Sequence, residues 1–372
     1  MKIFYMTVFL FTYFLSAKDE IVLISMDGIN IPIVHKTTPK IIYYDDMHRD
    51  EDGVLISLVL EMHKAGLINI LGIITEGIDT RNRKIEGLSA IIKYHKLDIP
   101  IGVAQSPGQR RIDSAFSNID SEKTSTLYHR YHTSLQDFPN DGCGKDYNIP
   151  CGNRYTSNEL IGKILTDNKG RNDISITIGG TTVAINEFLE YNDIYNGKEL
   201  LRKNIKNIFF IGRDKYYYSG QSTLGGRENG EAVRSVQNII KNMPENIKLI
   251  LSHPHIPYYN NKGKYRIGQE LLTYNQYSPM AFVLGNSVYH DGLKDGIDLI
   301  DMFAPFLVAF GENYFGSLER ITLIPNNRTV KIIKKSNKLH YQVQGNVELM
   351  YSTLKKFFSK MIKKDFQAIS YL

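Results

Sequence analysis

Apolar residues in this chain come in short runs that stop at polar clusters. Ile41-Ile42-Tyr43-Tyr44 runs into Asp45-Asp46, and Val54 to Met62 is then apolar at nearly every position. This pattern predicts a buried strand over 41–45, a tight acidic loop and a buried helix over 54–65. The unit repeats, with a strand over 70–75, a helix over 83–94 and a strand over 99–103. Residues 104–155 are long, polar and rich in turn residues, as a functional lid or a disordered segment would be. Thr156-Ser157-Asn158-Glu159 is a capping box opening a helix over 157–167. Further strands are expected at 174–178, 207–211 and 247–252, with helices over 182–190, 230–242 and 299–310. The tail reads as strands near 320–324, 329–334 and 340–344, an antiparallel addition. Near the start, 21–25 reads as a strand broken by Asp27-Gly28 and Pro32. Alternating strands and helices predict an α/β fold: a mostly parallel open sheet with helices on both faces. There is no internal repeat and no linker dividing the chain.

Five acids fall between Asp45 and Asp52: Asp45, Asp46, Asp50, Glu51 and Asp52. Such a cluster is either a solvated loop or is neutralised by a hard cation with oxygen ligands. It lies where a strand C-terminus feeds a helix, the usual place of the ligand crevice in open α/β sheets.

From Pro39 to Gln105 the order, spacing and residue types resemble the inosine-uridine preferring nucleoside hydrolase family. That family opens with a strand ending in Asp-x-Asp, an acidic loop closed by Asp-Asp, and an apolar helix. Ile70-Leu71-Gly72-Ile73-Ile74-Thr75 and Ile99-Pro100-Ile101-Gly102-Val103 match its next two strands. The likeness extends more weakly to Thr329. It implies a nucleoside hydrolase-like fold with a Rossmann-like core. It also implies calcium-dependent hydrolysis of ribonucleosides to base and ribose, through an oxocarbenium-like ribose. A catalytically inactive relative that binds a ligand or partner is the alternative.

The resemblance carries over residue by residue. Asp46 matches the second Asp of Asp-x-Asp, a calcium ligand and the general base, while Tyr44 stands where the first would be. Asp52 matches a ribose contact. The closing Asp, a metal ligand, falls on Gly53, leaving Glu51 or Asp50 as substitutes. Gly179-Gly180-Thr181-Thr182 matches the loop in which the Thr182 carbonyl would bind calcium. Asp301 matches a late metal ligand; Ile300 replaces the aromatic or His residue before it. Asp79 takes the place of an Asn that touches ribose. In the loop after 207–211, Glu231-Ala232 and Asn229 match, but Thr223 and Gly225 stand where a ribose-binding Glu and Asn belong, with Glu228-Asn229 as a shifted substitute for that pair. Tyr216-Tyr217-Tyr218 in that loop could stack on a base. His253, His255, His129 and His132 read as loop histidines.

Composition changes this picture little. A formal charge of +6 over 372 residues, with no Lys/Arg-rich block, argues against nucleic-acid binding. Lys2, the apolar stretch 3–15 and Ser16-Ala17 read as a secretory signal over 1–17, implying a secreted or periplasmic protein, with an uncleaved anchor as the alternative. In an exported protein Cys143 and Cys151 are expected to close a short loop by a disulfide. Asn327-Arg328-Thr329 is a glycosylation sequon. Val347, Met350, Tyr351, Leu354, Phe358, Met361 and Ile362 recur at helical spacing among lysines, so 346–372 reads as an amphipathic helix docked on a 39–345 domain. Membrane-surface contact is the alternative use of that helix. The partner expected is a small-molecule ribonucleoside; self-association into a homo-oligomer is left open.

Overall fold

A computed structural model describes residues 22–26, 29–33, 37–45, 50–75, 83–104, 154–168, 170–210, 230–252, 302–311, 316–326, 329–334, 339–345 and 355. A hairpin comes first, β1 (Val22–Met26) and β2 (Ile29–Ile33). Then follow β3 (Lys40–Asp45), α1 (Asp50–Lys64), β4 (Asn69–Thr75), α2 (Arg83–Tyr94), β5 (Ile101–Val103) and β6 (Arg154–Thr156). The middle of the chain supplies α3 (Ser157–Asp167), β7 (Ile174–Ile178), α4 (Val183–Glu190), α5 (Gly197–Asn204) and β8 (Ile205–Phe210). The last elements are α6 (Gly230–Asn242), β9 (Lys248–Leu251), α7 (Phe303–Phe310), β10 (Gly316–Asn326), β11 (Thr329–Lys334) and β12 (His340–Gly345).

All strands from β3 onward share one 10-stranded sheet, in the order β11-β10-β12-β9-β8-β7-β3-β4-β5-β6. From β6 across to β12 every neighbouring pair is parallel. Only β10 runs against its neighbours, β12 and β11. The fold is therefore the open, mostly parallel α/β sheet expected. Its central strands are built from Ile and Tyr because both faces are covered: Ile41, Ile42, Ile73, Ile74, Ile174, Ile176, Ile208 and Ile250 are all buried.

On one face α3, α4 and α6 cover Ile42, Tyr44, Ile176 and Ile208. The capping box at the start of α3 is present: Glu159 N–H donates to Thr156 Oγ1 at 3.2 Å, and Thr156 N–H to Glu159 Oε2 at 2.8 Å. Two strand glycines let α3 sit close. A Cβ on Gly72 would lie 2.8 Å from Ile164 Cδ1, and one on Gly102 3.1 Å from Leu160. Every residue of α7 is buried, as an all-apolar helix requires. It lies against β7 and β2. Among the described residues no helix is long and apolar enough to cross a membrane.

Four expectations are corrected. The helix expected from Val54 begins at Asp50, so Asp50, Glu51 and Asp52 occupy its first turn rather than the loop. Acidic residues there are favoured by the unpaired N–H groups and the helix dipole, which accounts for three of the five acids without a ligand. Pro32 does not break the early strand: it pairs with Leu23 across a hairpin whose ends, Met26 and Ile29, are joined by Asp27-Gly28. Asp-Gly is a favoured two-residue hairpin connection, and a two-stranded ribbon leaves each strand an open side where Pro is tolerated. β6 and α5 were not foreseen. The tail is not wholly antiparallel, since β12 joins the parallel sheet beside β9.

Candidate functional site

The chain lays down β3, β4, β5 and β6 in one direction, then returns to the other side of β3 for β7, β8 and β9. Strand order reverses between β3 and β7, and the crevice at a parallel sheet's reversal point is where such folds bind ligands. The two strand ends are tied together, with Gly179 N–H donating to the Tyr44 carbonyl at 2.7 Å.

Polar side chains gather under that point although their surroundings are apolar. Asp45, the last residue of β3, is only 1% exposed. The Tyr43 hydroxyl donates to its Oδ2 at 2.5 Å. Register places Asp45 beside Thr75, the last residue of β4, which is also buried. Tyr43 lies beside Thr177, whose buried hydroxyl has no hydrogen-bond partner among the described residues. Toward the opposite face, Ala184 N–H at the start of α4 donates to the Tyr44 hydroxyl at 3.4 Å. Thr182 caps α4 without a side-chain capping bond; its hydroxyl instead meets Ser235 Oγ of α6 at 2.6 Å. The Thr182 carbonyl accepts Asn186 N–H at 3.0 Å, so the helix uses one of its two lone pairs.

Thr182 follows β7 at the reversal point. Asp46 comes immediately after β3 but lies outside the described residues, as do Asp79, Asn229 and Asp301. Asp79 falls between β4 and α2, Asn229 just before α6, and Asp301 just before the residue that caps α7. Glu51 and Asp52 are placed only by backbone, in the first turn of α1. Residues 1–17, Cys143, Cys151, Tyr216 to Tyr218, His253, His255, His129, His132 and Asn327 also lie outside the described residues, and of 346–372 only Lys355 is described, as helical. Among the described residues no group of three or more His, Cys, Asp or Glu side chains is placed to hold a metal ion. Sequence reasoning missed the Tyr43–Asp45 pair. Its signal was available: residues two apart on a strand share a face, and a Tyr two before an Asp can donate to it.

Beside the reversal point a groove of about 450 Å³ runs between α4 and α6, lined by Asn186, Glu190, Arg234 and Asn238 among others. Asn238 Nδ2 donates to Asn186 Oδ1 at 2.7 Å and to Glu190 Oε1 at 2.6 Å, so these groups satisfy one another.

The ionic groups collect at the other end of the same strands. Glu61 of α1 meets His95, just past α2, with Oε1 2.7 Å from Nδ1. Burial works against the Glu61 carboxylate, but the hydrogen bond and charge of His95, helped by Lys64, hold it below its ordinary 4.5. His63 Nδ1 accepts Ile70 N–H at 3.1 Å. Burial holds His63 below its ordinary 6.5, partly offset by a hydrogen bond to the Ile68 backbone.

No protein-family model matches the chain, and no curated protein does. Solved structures do. The effector protein XOO4466 superposes with a TM-score of 0.54 at 8% identity, covering 89% of this chain and 94% of that one. The type III effector protein XopQ, complexed with adenosine diphosphate ribose, gives 0.50 at 8% identity, covering 89% and 95%. At such identity the likeness carries the fold alone: this chain shares the mostly parallel, open α/β sheet fold of these two proteins.

Proposed function

We propose that the chain hydrolyses the N-glycosidic bond of ribonucleosides, giving base and ribose, in a calcium-dependent reaction at the β3–β7 reversal point. The observation behind this reading is the buried polar residues at the strand ends there, Asp45 beside Thr75 and Thr182 after β7, with the acids Asp46, Asp50, Glu51 and Asp52 following Asp45 in sequence. Asp46 is the base that takes a proton from the attacking water, and Asp52, Asp79 and Asn229 face the ribose. The donor set proposed for calcium is Asp46, Glu51, Asp301 and the Thr182 carbonyl. It is all oxygen, which suits a cation that takes many oxygen ligands in loose geometry. When bound, calcium would polarise a water and hold the ribose diol. Export directed by residues 1–17 would set this reaction outside the cell or in the periplasm.

A second reading, ligand binding without hydrolysis, is favoured by Tyr44. It stands where the resemblance puts an acid, is fully buried, and has its hydroxyl engaged with α4. An ADP-ribose-like molecule is then the ligand class, by analogy with the XopQ complex.

The test is ribose release from inosine and uridine across a calcium titration, with calorimetry of ADP-ribose binding alongside. Release that rises with calcium and disappears in Asp46→Asn supports hydrolysis. Gly53→Asp is expected to tighten calcium binding by restoring a carboxylate. ADP-ribose binding with no release at any calcium level selects the second reading. Neither release nor binding by the folded protein rejects both.

A further inference from the structure

A buried carboxylate is costly unless hydrogen-bonded, and an apolar residue filling the same space would avoid that cost. Asp45 therefore calls for an explanation beyond packing. It ends β3 at the reversal point, and Tyr43 holds its Oδ2 at 2.5 Å from the same face of the strand. Thr75 flanks it on β4, and Gly179 secures the preceding carbonyl from β7. The chain then has only residues 46–49 before α1 starts at Asp50. The far end of this connection is the first turn of α1, whose Leu55, Ile56, Leu58 and Val59 are buried.

We propose that Asp45, held by Tyr43, is a positioning residue that fixes where the chain leaves β3 at the reversal point. The link to ligand rests on the function proposed above; the link to the loop does not. Asp45 acts through its hydrogen bond, not through contact with ligand. An amide that still accepts from Tyr43 therefore substitutes for it, whereas loss of the Tyr43 hydroxyl does not.

The test uses full-length Tyr43→Phe, Asp45→Asn and Asp45→Ala. Backbone deuterium exchange is followed over 46–52 and over 174–178, and binding of ADP-ribose and inosine is measured by calorimetry. In Tyr43→Phe and Asp45→Ala, exchange over 46–52 is expected to rise about tenfold with 174–178 unchanged, since a buried hydrogen bond restrains local opening. Ligand affinity should fall about tenfold in the same two variants and stay within about threefold of wild type in Asp45→Asn. Unchanged exchange over 46–52 in Tyr43→Phe overturns the proposal, as does an equal rise over 174–178. Asp45→Asn binding as weakly as Asp45→Ala also overturns it, because the charge itself would then be acting. If wild type binds neither ligand, the functional reading falls and exchange still decides the positioning role. Should Asp45→Ala not fold, Tyr43→Phe, which removes a single oxygen, carries the test.

Discussion

The two ends of the central strands are built differently. At their N-terminal end, long charged side chains tie together elements distant in sequence. Lys40 Nζ donates to Asn168 Oδ1 at 3.1 Å and Asp173 Oδ2 at 2.9 Å, fastening β3 to the segment before β7. Glu61 and His95 join the last turns of α1 and α2, and His63 joins α1 to β4. At the C-terminal end the polar groups are short and almost fully buried: Asp45, Thr75, Thr177, Thr181, Thr182 and Ser235. Ionic and hydrogen-bonded side chains at the first end tie β3 to the segment before β7, α1 to the end of α2, and α1 to β4. Hydroxyls and one carboxylate at the second end make a polar floor in a position where apolar residues would pack with less cost. The difference in chemistry separates the two ends independently of any motif, and the C-terminal one is where the proposed site lies.

That division can be broken by mutation. The largest stability loss is expected at the ionic end. His95→Ala removes a buried ring and its bond to Glu61, costing about 2–4 kcal/mol in denaturant unfolding and leaving ligand affinity unchanged. A matching loss of affinity would erase the distinction between the two ends. Thr182→Val should cost less stability, about 1 kcal/mol, because it deletes one buried hydroxyl bond and keeps the volume. The backbone carbonyl proposed for calcium survives the change, so ligand binding by calorimetry should stay close to wild type, and a marked loss of binding would show that the Thr182 hydroxyl takes part in the site.

The smallest effect is on pH dependence, and it sharpens the comparison. His63 has its folded value lowered, so it stabilises above its ordinary 6.5 and this contribution is lost as pH falls toward the folded value. Glu61, also lowered, stabilises above 4.5 and loses its contribution at lower pH, as its folded value is crossed. Urea melts should show stability declining in two stages on acidification. His63→Asn, which can still accept Ile70 N–H, should remove the upper stage. An unaltered upper stage would place the responsible group elsewhere.

The sheet was legible because Ile-rich strands buried on both faces give continuous apolar runs, and the Thr156–Glu159 box marks a helix start locally. What escaped depends on partners far along the chain. The three-residue strand β6 is defined by its register with β5, Ile101 against Arg154, not by its own pattern. α5 is polar on most of its surface, although Asn196 does cap it, accepting Glu199 N–H at 3.0 Å. The acid run was read as one loop because charge repulsion looks alike in a loop and in a helix's first turn. Within the site, Thr182 was placed correctly after β7. Asp45 was passed over because a charged residue at a strand end reads as solvated, and its burial becomes visible only once β3 lies in the sheet beside β4.

The parallel pairing of β12 with β9, Leu249 to Leu251 against His340 to Gln342, has a consequence for how the protein is made. Until residue 342 has been synthesised, β9 is an exposed, apolar sheet edge able to recruit any extended chain nearby. The strand that closes it is also the one that anchors β10 and β11 to the sheet. Closure spans roughly ninety residues of sequence, which makes it a late and slow event during folding. A nascent chain held just short of β12 should therefore be the form most prone to aggregate and most dependent on chaperones.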